Sequence, residues 1–196
     1  INLHKINLYF TDGNFDKGIT VIPKIDSQLK LFKNRIDEHH VMTFYYKFAS
    51  MYFGSGDNDT CIFYLDKIIS NKSLSMRQDL LCFSRILNLF AHYEAGYDYH
   101  IETLLKSTYK FLLKMNDLHE VQKAMIKFIK SLQNIYPQDI KKAFVKLHLK
   151  LKTFEDDPYE SRAFLYLDII SWLESNIQKK PIGEIIKNKY SANNNS

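Results

Sequence analysis

The sequence is poor in residues that interrupt helices or cross-link a fold. Only six glycines and four prolines occur among its 196 residues, so long helices can run with few breaks. The two cysteines, Cys61 and Cys82, form no CxxC pair, which argues against a disulfide framework and against a zinc site. No apolar run approaches the roughly 20 residues of a membrane-spanning helix. We therefore expect a helical, cytoplasmic protein that is not inserted in a membrane.

The familiar signatures of catalysis are also missing. The sequence has no glycine-rich phosphate loop, no HExxH and no GxSxG. His119 and Glu120 resemble half of a zinc motif, but Lys123 stands where the second histidine would be needed. The acids from Glu155 to Asp157 directly precede a proline, and we interpret them as a loop and helix-start cluster. We predict no catalytic residue, no bound metal and no cofactor.

The chain does contain a recurring tyrosine–glycine–apolar phrase. It reads NLYFTDGNFDKGI from Asn7, ASMYFGSGDNDTCI from Ala49 and AHYEAGYDYHI from Ala91. In each copy an amphipathic pattern ends near a glycine and another begins within a few residues. Such phrases are typical of stacked helical hairpins, because one hairpin cannot bury its apolar side without a neighbour.

The segment of residues 42–75, which contains the second phrase, resembles the tetratricopeptide repeat. The matching residues are Tyr45, Phe48, Ala49, Tyr52, Gly56, Cys61, Leu65 and Ile68. The other two phrases match less completely, at Tyr9, Gly13, Gly18, Ile22 and Ile25 and at Tyr93, Gly96, Ile101 and Leu105, and the pattern fades after Met115. The resemblance implies an all-α, right-handed superhelix, an α-solenoid of about five hairpins. Such scaffolds bind a peptide or protein segment on the concave side.

We expect residues 1–190 to form a single repeat domain and residues 191–196 to form a polar, disordered tail. The final hairpin is predicted to consist of a helix from Pro158 to about Ile177 and a short helix from Pro181 to about Lys189. The chain begins at Ile1, already in a helical pattern and without an initiator methionine. From this we expect the C-terminal part of a longer protein.

The resemblance also indicates which residues would face the ligand-binding groove. Tyr46 and Ser50 occupy the positions that the family turns toward its groove, and Asn7 and Phe10 do the same in the first hairpin. The helix predicted over 76–95 carries a polar stripe.

This stripe consists of Arg85, Asn88 and His92, with Ser84 beside it. Its polar groups could face a ligand in the concave groove. Alternatively they could form a buried network, for example with Arg85 bound to a carboxylate of the adjacent helix.

Positive charge is concentrated in the third quarter of the chain. The net charge is +5, and residues 106–152 contain eleven lysines against three acids. Lys123, Lys127 and Lys130 share one side of a helix that the resemblance places at the groove, where they could bind an acidic peptide. A solvated helix surface would also explain them. A nucleic-acid-associated regulator remains the alternative function, either through the basic 106–152 region or through a DNA-binding domain upstream.

Overall fold

The computed structural model describes residues 2–32, 35–71, 78–166 and 168–194. Within these residues the fold is all-α and contains no strand, which confirms the predicted class. The helices are α1 (Asn2–Thr11), α2 (Phe15–Leu31), α3 (Glu38–Ser55), α4 (Asn58–Ile69), α5 (Gln78–Glu94), α6 (Asp98–Met115), α7 (Glu120–Leu132), α8 (Pro137–Lys152), α9 (Arg162–Tyr166), α10 (Ile169–Gln178) and α11 (Ile182–Asn194).

The chain divides into two compact units. The first comprises Ile1–Leu81 and Pro181–Ser196, and the second comprises Cys82–Lys180, so the division falls within α5. In both units helices pack against their neighbours in sequence, as in α1–α2, α2–α3, α3–α4, α6–α7 and α7–α8. This sequential packing is compatible with a helical repeat.

Helix α3 lies at the centre of the first unit, where it packs against α1, α2, α4 and α11. Phe48 and Ala49 are completely buried on it, and Cys61 is completely buried on α4. The small side chains of Ala49 and Cys61 allow the helices to approach closely, as the repeat-like pattern predicts. Gly56 ends α3 in the left-handed conformation with a φ of 87°, which glycine adopts at little cost.

The single tryptophan organises the core of the second unit. Trp172, on α10, is 1% exposed and contacts the ring of Phe90 from α5, that of Phe128 from α7 and that of Phe144 from α8. Its indole N–H donates a 2.6 Å hydrogen bond to Glu94 Oε1. Trp172 therefore joins helices that are far apart in the sequence.

The end of the chain differs from the sequence-based prediction. The prediction of one helix from Pro158 to about Ile177 is wrong. The residues around Pro158 form turns, and two separate helices, α9 and α10, follow them. Asp157 Oδ1 accepts the main-chain N–H of Glu160 at 3.0 Å and so stabilises the turn. Asp168 then accepts the N–H of Ser171 at 2.9 Å and caps a new helix. Helix α11 reaches Asn194, beyond the predicted end near Lys189.

Candidate functional site

A groove lies between α6 and α7 in the second unit, with a volume of about 370 Å³. Leu105 and Ile126 are buried and give it an apolar floor. The three lysines singled out in the sequence all line its α7 side. The full lining consists of Glu102, Leu105, Lys106, Tyr109, Lys123, Ile126, Lys127, Lys130 and Gln133. We call this feature the lysine groove.

The arrangement of the lysines follows from the amphipathic sequence of α7. The apolar side of α7 is buried, and its side chains are Val121, Ala124, Met125, Ile126, Phe128 and Ile129. The lysines, at spacings of four and three residues, fall on the exposed side. Because the apolar side fixes how α7 rotates about its axis, it also fixes the direction in which the lysines face.

Two of the four groove lysines are neutralised by acids of the chain. Lys106 Nζ lies 2.6 Å from Glu102 Oε1, and Lys123 Nζ lies 2.8 Å from Glu120 Oε1. The hydrogen bond and the charge of Lys106 lower the pKa of Glu102, and those of Lys123 lower the pKa of Glu120. No ion pair among the described residues involves the other two groove lysines, Lys127 and Lys130. The charge of Lys130 also helps to lower the pKa of Glu102, but neither lysine is held in an ion pair, so both can turn to a ligand.

A carboxylate from a distant loop holds the N-terminus of α7. The carboxylate oxygens of Glu160 accept the main-chain N–H groups of Glu120 at 3.0 Å and of Val121 at 2.9 Å. Acids are favoured here because the first N–H groups of a helix have no partner within the helix. Sequence reasoning missed Glu160, which lies outside the acidic cluster of residues 155–157, because no local pattern indicates a contact across 39 residues.

The polar stripe of α5 lies elsewhere in the second unit. Arg85 is half-buried, its guanidinium carbon lies 4.4 Å from the centroid of the Phe111 ring, and burial lowers its pKa. Asn88 is buried, and Nδ1 of His92 lies 2.9 Å from the carbonyl oxygen of Asn88. None of the three lines the lysine groove. The predicted ion pair of Arg85 with a neighbouring carboxylate is absent from the described residues.

The candidates in the first unit are largely enclosed by protein. Tyr46 is 2% exposed and Ser50 is 4% exposed, and the Ser50 hydroxyl donates to the Tyr46 carbonyl at 2.9 Å. Phe10 makes an edge contact with Phe15. Asn7 is half-buried, with a buried Oδ1 that accepts no hydrogen bond. None of these four residues is among those that line the lysine groove.

The described residues contain neither a metal-binding cluster nor a helix that could span a membrane. They include no group of three or more His, Cys, Asp or Glu side chains placed to hold a metal ion. None of the helices in this part of the chain is long and apolar enough to cross a membrane.

Comparison of the sequence with protein-family models, with curated proteins and with solved structures finds no match to any of them. The geometry and charge of the site are therefore the basis on which a function can be inferred.

Proposed function

We propose that the protein is a non-catalytic binding module whose lysine groove holds an acidic segment of a partner protein. The observation that supports this most strongly is the grouping of Lys127 and Lys130 above an apolar floor, where neither forms an ion pair with a described residue. An acidic segment would neutralise both lysines, and an apolar side chain of the same segment would cover Leu105 and Ile126.

The composition of the groove favours a protein segment over a nucleic acid. Proteins that track a phosphate backbone combine positive charge with aromatic rings that stack on bases. The lysine groove has a single aromatic residue, Tyr109, and an acid, Glu102, stands among its lysines. A peptide with alternating acidic and apolar residues matches this mixture better than a uniformly charged backbone does.

We also propose how the helices of the module are arranged as a whole and in which compartment of the cell it works. Helix pairs that pack in sequence support a superhelix of tetratricopeptide-like hairpins, in which a groove between neighbouring helices is the usual place for a ligand. We place the protein in the cytoplasm, where the free thiols of Cys61 and Cys82 would stay reduced.

Fluorescence anisotropy with a labelled peptide tests the proposed function. The probe is a short peptide in which pairs of glutamates flank single leucines, and the matched control has glutamine at every glutamate. The glutamate peptide is expected to bind at least tenfold more tightly than the glutamine peptide. A second control, with alanine at every leucine, measures the contribution of the apolar floor.

A labelled single-stranded oligonucleotide separates the two candidate functions. Nucleic-acid binding that relies on phosphate contacts falls steeply between about 50 and 200 mM salt. Peptide binding to an apolar-floored groove is expected to weaken much less. Tight oligonucleotide binding with a steep salt dependence, together with no peptide binding, would favour the nucleic-acid-associated regulator and contradict our proposal.

A further inference from the structure

Arg85 is a half-buried cation that forms no ion pair with an acidic side chain of the described residues. Its guanidinium group stacks on Phe111 of α6, and its Nε atom is buried and makes no hydrogen bond. Stacking on an aromatic ring compensates only part of the hydration that burial removes. A guanidinium held in this way retains its charge, because its ordinary pKa lies far above neutrality.

The missing counter-charge cannot come from another side chain of this sequence in the described arrangement. All 22 Asp and Glu residues fall within the described ranges, and none of them forms an ion pair with Arg85. The residues outside those ranges carry no acidic side chain. Since no Asp or Glu side chain fills this role in the described arrangement, a ligand or a partner is the source of the acid that we consider.

Two more polar side chains without partners lie beside Arg85 on α5. Ser84 is completely buried and its hydroxyl makes no hydrogen bond, and Asn88 is 4% exposed with an unbonded Oδ1. At 100° per residue, the three positions fall within a 100° sector of the helix. Buried donors are almost always hydrogen-bonded, and Arg85 Nε and the neighbouring Ser84 hydroxyl both lack an acceptor, which indicates that an acceptor is missing here. Asn88 Oδ1 can only accept, so the Nδ2 group is the part of that amide that can donate to an anion.

This cluster is separate from the lysine groove. Phe111, on which Arg85 stacks, follows the groove residue Glu102 by nine residues, or two and a half turns of α6. The two residues therefore point to opposite sides of the helix. A ligand at Arg85 would leave the lysine groove unoccupied, and the inference stands independently of the proposed function.

We propose that Arg85, together with the amide of Asn88 and the hydroxyl of Ser84, forms a carboxylate-binding site on α5. The planar guanidinium fork matches both oxygens of a carboxylate, and Nδ2 of Asn88 and the Ser84 hydroxyl supply further neutral donors. A single positive charge in a half-buried setting balances one negative charge, which favours a carboxylate over a doubly charged phosphate. The carboxylate comes either from an acidic side chain or from a chain terminus of a partner.

Nuclear magnetic resonance can test this site on the unmodified chain. The sequence has only four arginines, so the Nε–Hε signals of a ¹⁵N-labelled sample are few, and the signal missing from Arg85→Lys identifies Arg85. Sodium acetate is titrated against sodium chloride at constant ionic strength. The Arg85 signal is expected to shift with acetate and to saturate, while the other three arginine signals move little. A linear, non-saturating shift, or an equal shift with chloride, would overturn the proposal.

Variants check that the donors act together. Backbone amide shifts of residues 85–92 report acetate binding when the Arg85 side chain is changed. Arg85→Gln is expected to raise the acetate dissociation constant about tenfold or more, and Asn88→Ala to raise it by a smaller factor. Arg35→Gln, which removes the same charge from an exposed position, should leave the dissociation constant unchanged. Acetate binding that is equally strong in Arg85→Gln would contradict the site.

Three further ligands distinguish the class and the source of the carboxylate. N-acetylglycine represents a chain terminus and N-acetylaspartate amide represents an acidic side chain. Saturable binding of either supports the site, and the tighter of the two identifies the source. Inorganic phosphate is the contrary case, since phosphate binding more tightly than all the carboxylates would overturn the assignment to a carboxylate.

Discussion

The carboxylate of Glu160 accepts the main-chain N–H of Val121 at 2.9 Å, across 39 residues of sequence. Its other oxygen accepts the N–H of Glu120 at 3.0 Å. One side chain from the loop before α9 thus satisfies two N–H groups at the start of α7, the helix that carries the lysines of the groove. The contact links the acidic loop to the geometry of the candidate site.

Replacing Glu160 should therefore weaken the second unit. Glu160→Ala removes both acceptors and is expected to lower the free energy of unfolding by about 1–2 kcal/mol, as loss of a helix cap does. Glu160→Gln keeps one acceptor oxygen and should cost less. Urea unfolding followed by tryptophan fluorescence measures both variants. Asp156→Ala, an exposed acid of the same loop, is the control, and an equal loss in this control would contradict the capping role.

Core truncations should be costly in both units. Phe48 and Leu89 are 0% and 1% exposed, and replacing either with alanine is expected to lower the free energy of unfolding by about 2–5 kcal/mol. Leu31→Ala and Leu149→Ala are the matched controls, since these side chains are 77% and 63% exposed. Urea unfolding followed by circular dichroism gives the values. If the buried and exposed variants unfolded alike, the packing described for these helices would be wrong.

The acids at the lysine groove should titrate below their ordinary range. The hydrogen bond and the charge of Lys106 lower the pKa of Glu102 in the folded protein. Because the folded value is lower than the unfolded one, this pair stabilises the fold above the unfolded pKa, and the contribution is lost as the pH falls through the folded pKa. Carbon-13 titration of the Glu102 carboxyl group measures the midpoint. Lys106→Gln should raise that midpoint, and an unchanged midpoint would show that the pair does not form.

Both thiols should be unreactive in the native protein. Cys61 and Cys82 are completely buried, and burial raises the pKa of the Cys61 thiol, so little of the reactive thiolate is present near neutral pH. Ellman's reagent is expected to modify them only as fast as the protein unfolds, and to modify both at once in urea. Prompt reaction of either thiol without denaturant would contradict its burial.

Local sequence patterns predicted much of the helical framework. Each tyrosine–glycine phrase was expected to end a helix near its glycine, and Gly13, Gly56 and Gly96 each follow the end of a helix in the left-handed conformation. These features depend on hydrophobic periodicity and on backbone preferences, both of which act over a few residues. The common direction of the three lysines on α7 was predictable for the same reason.

Contacts between residues far apart in the sequence were not predictable in this way. The apolar floor of the lysine groove includes Leu105, and no periodicity in α7 indicates that α6 lies beside it. Trp172 contacts Phe90 and Glu94 in the core of the second unit, and no local pattern around Trp172 indicates either contact. The break near Pro158 likewise results from capping by Asp157 and Asp168, which competes with a strong apolar pattern.

The most direct test of the lysine groove compares two double variants that each lose two positive charges, one in the groove and one outside it. The quantity compared is the affinity of each variant for the glutamate–leucine peptide. Lys127→Gln/Lys130→Gln removes two groove charges, and Lys17→Gln/Lys24→Gln removes two exposed charges from α2. At about 0.7 kcal/mol for each exposed contact, the groove pair should weaken binding roughly tenfold. The α2 pair should change binding less than twofold. Equal weakening by both pairs would show that the peptide senses only the net charge of the protein, and the lysine groove would not be its binding site.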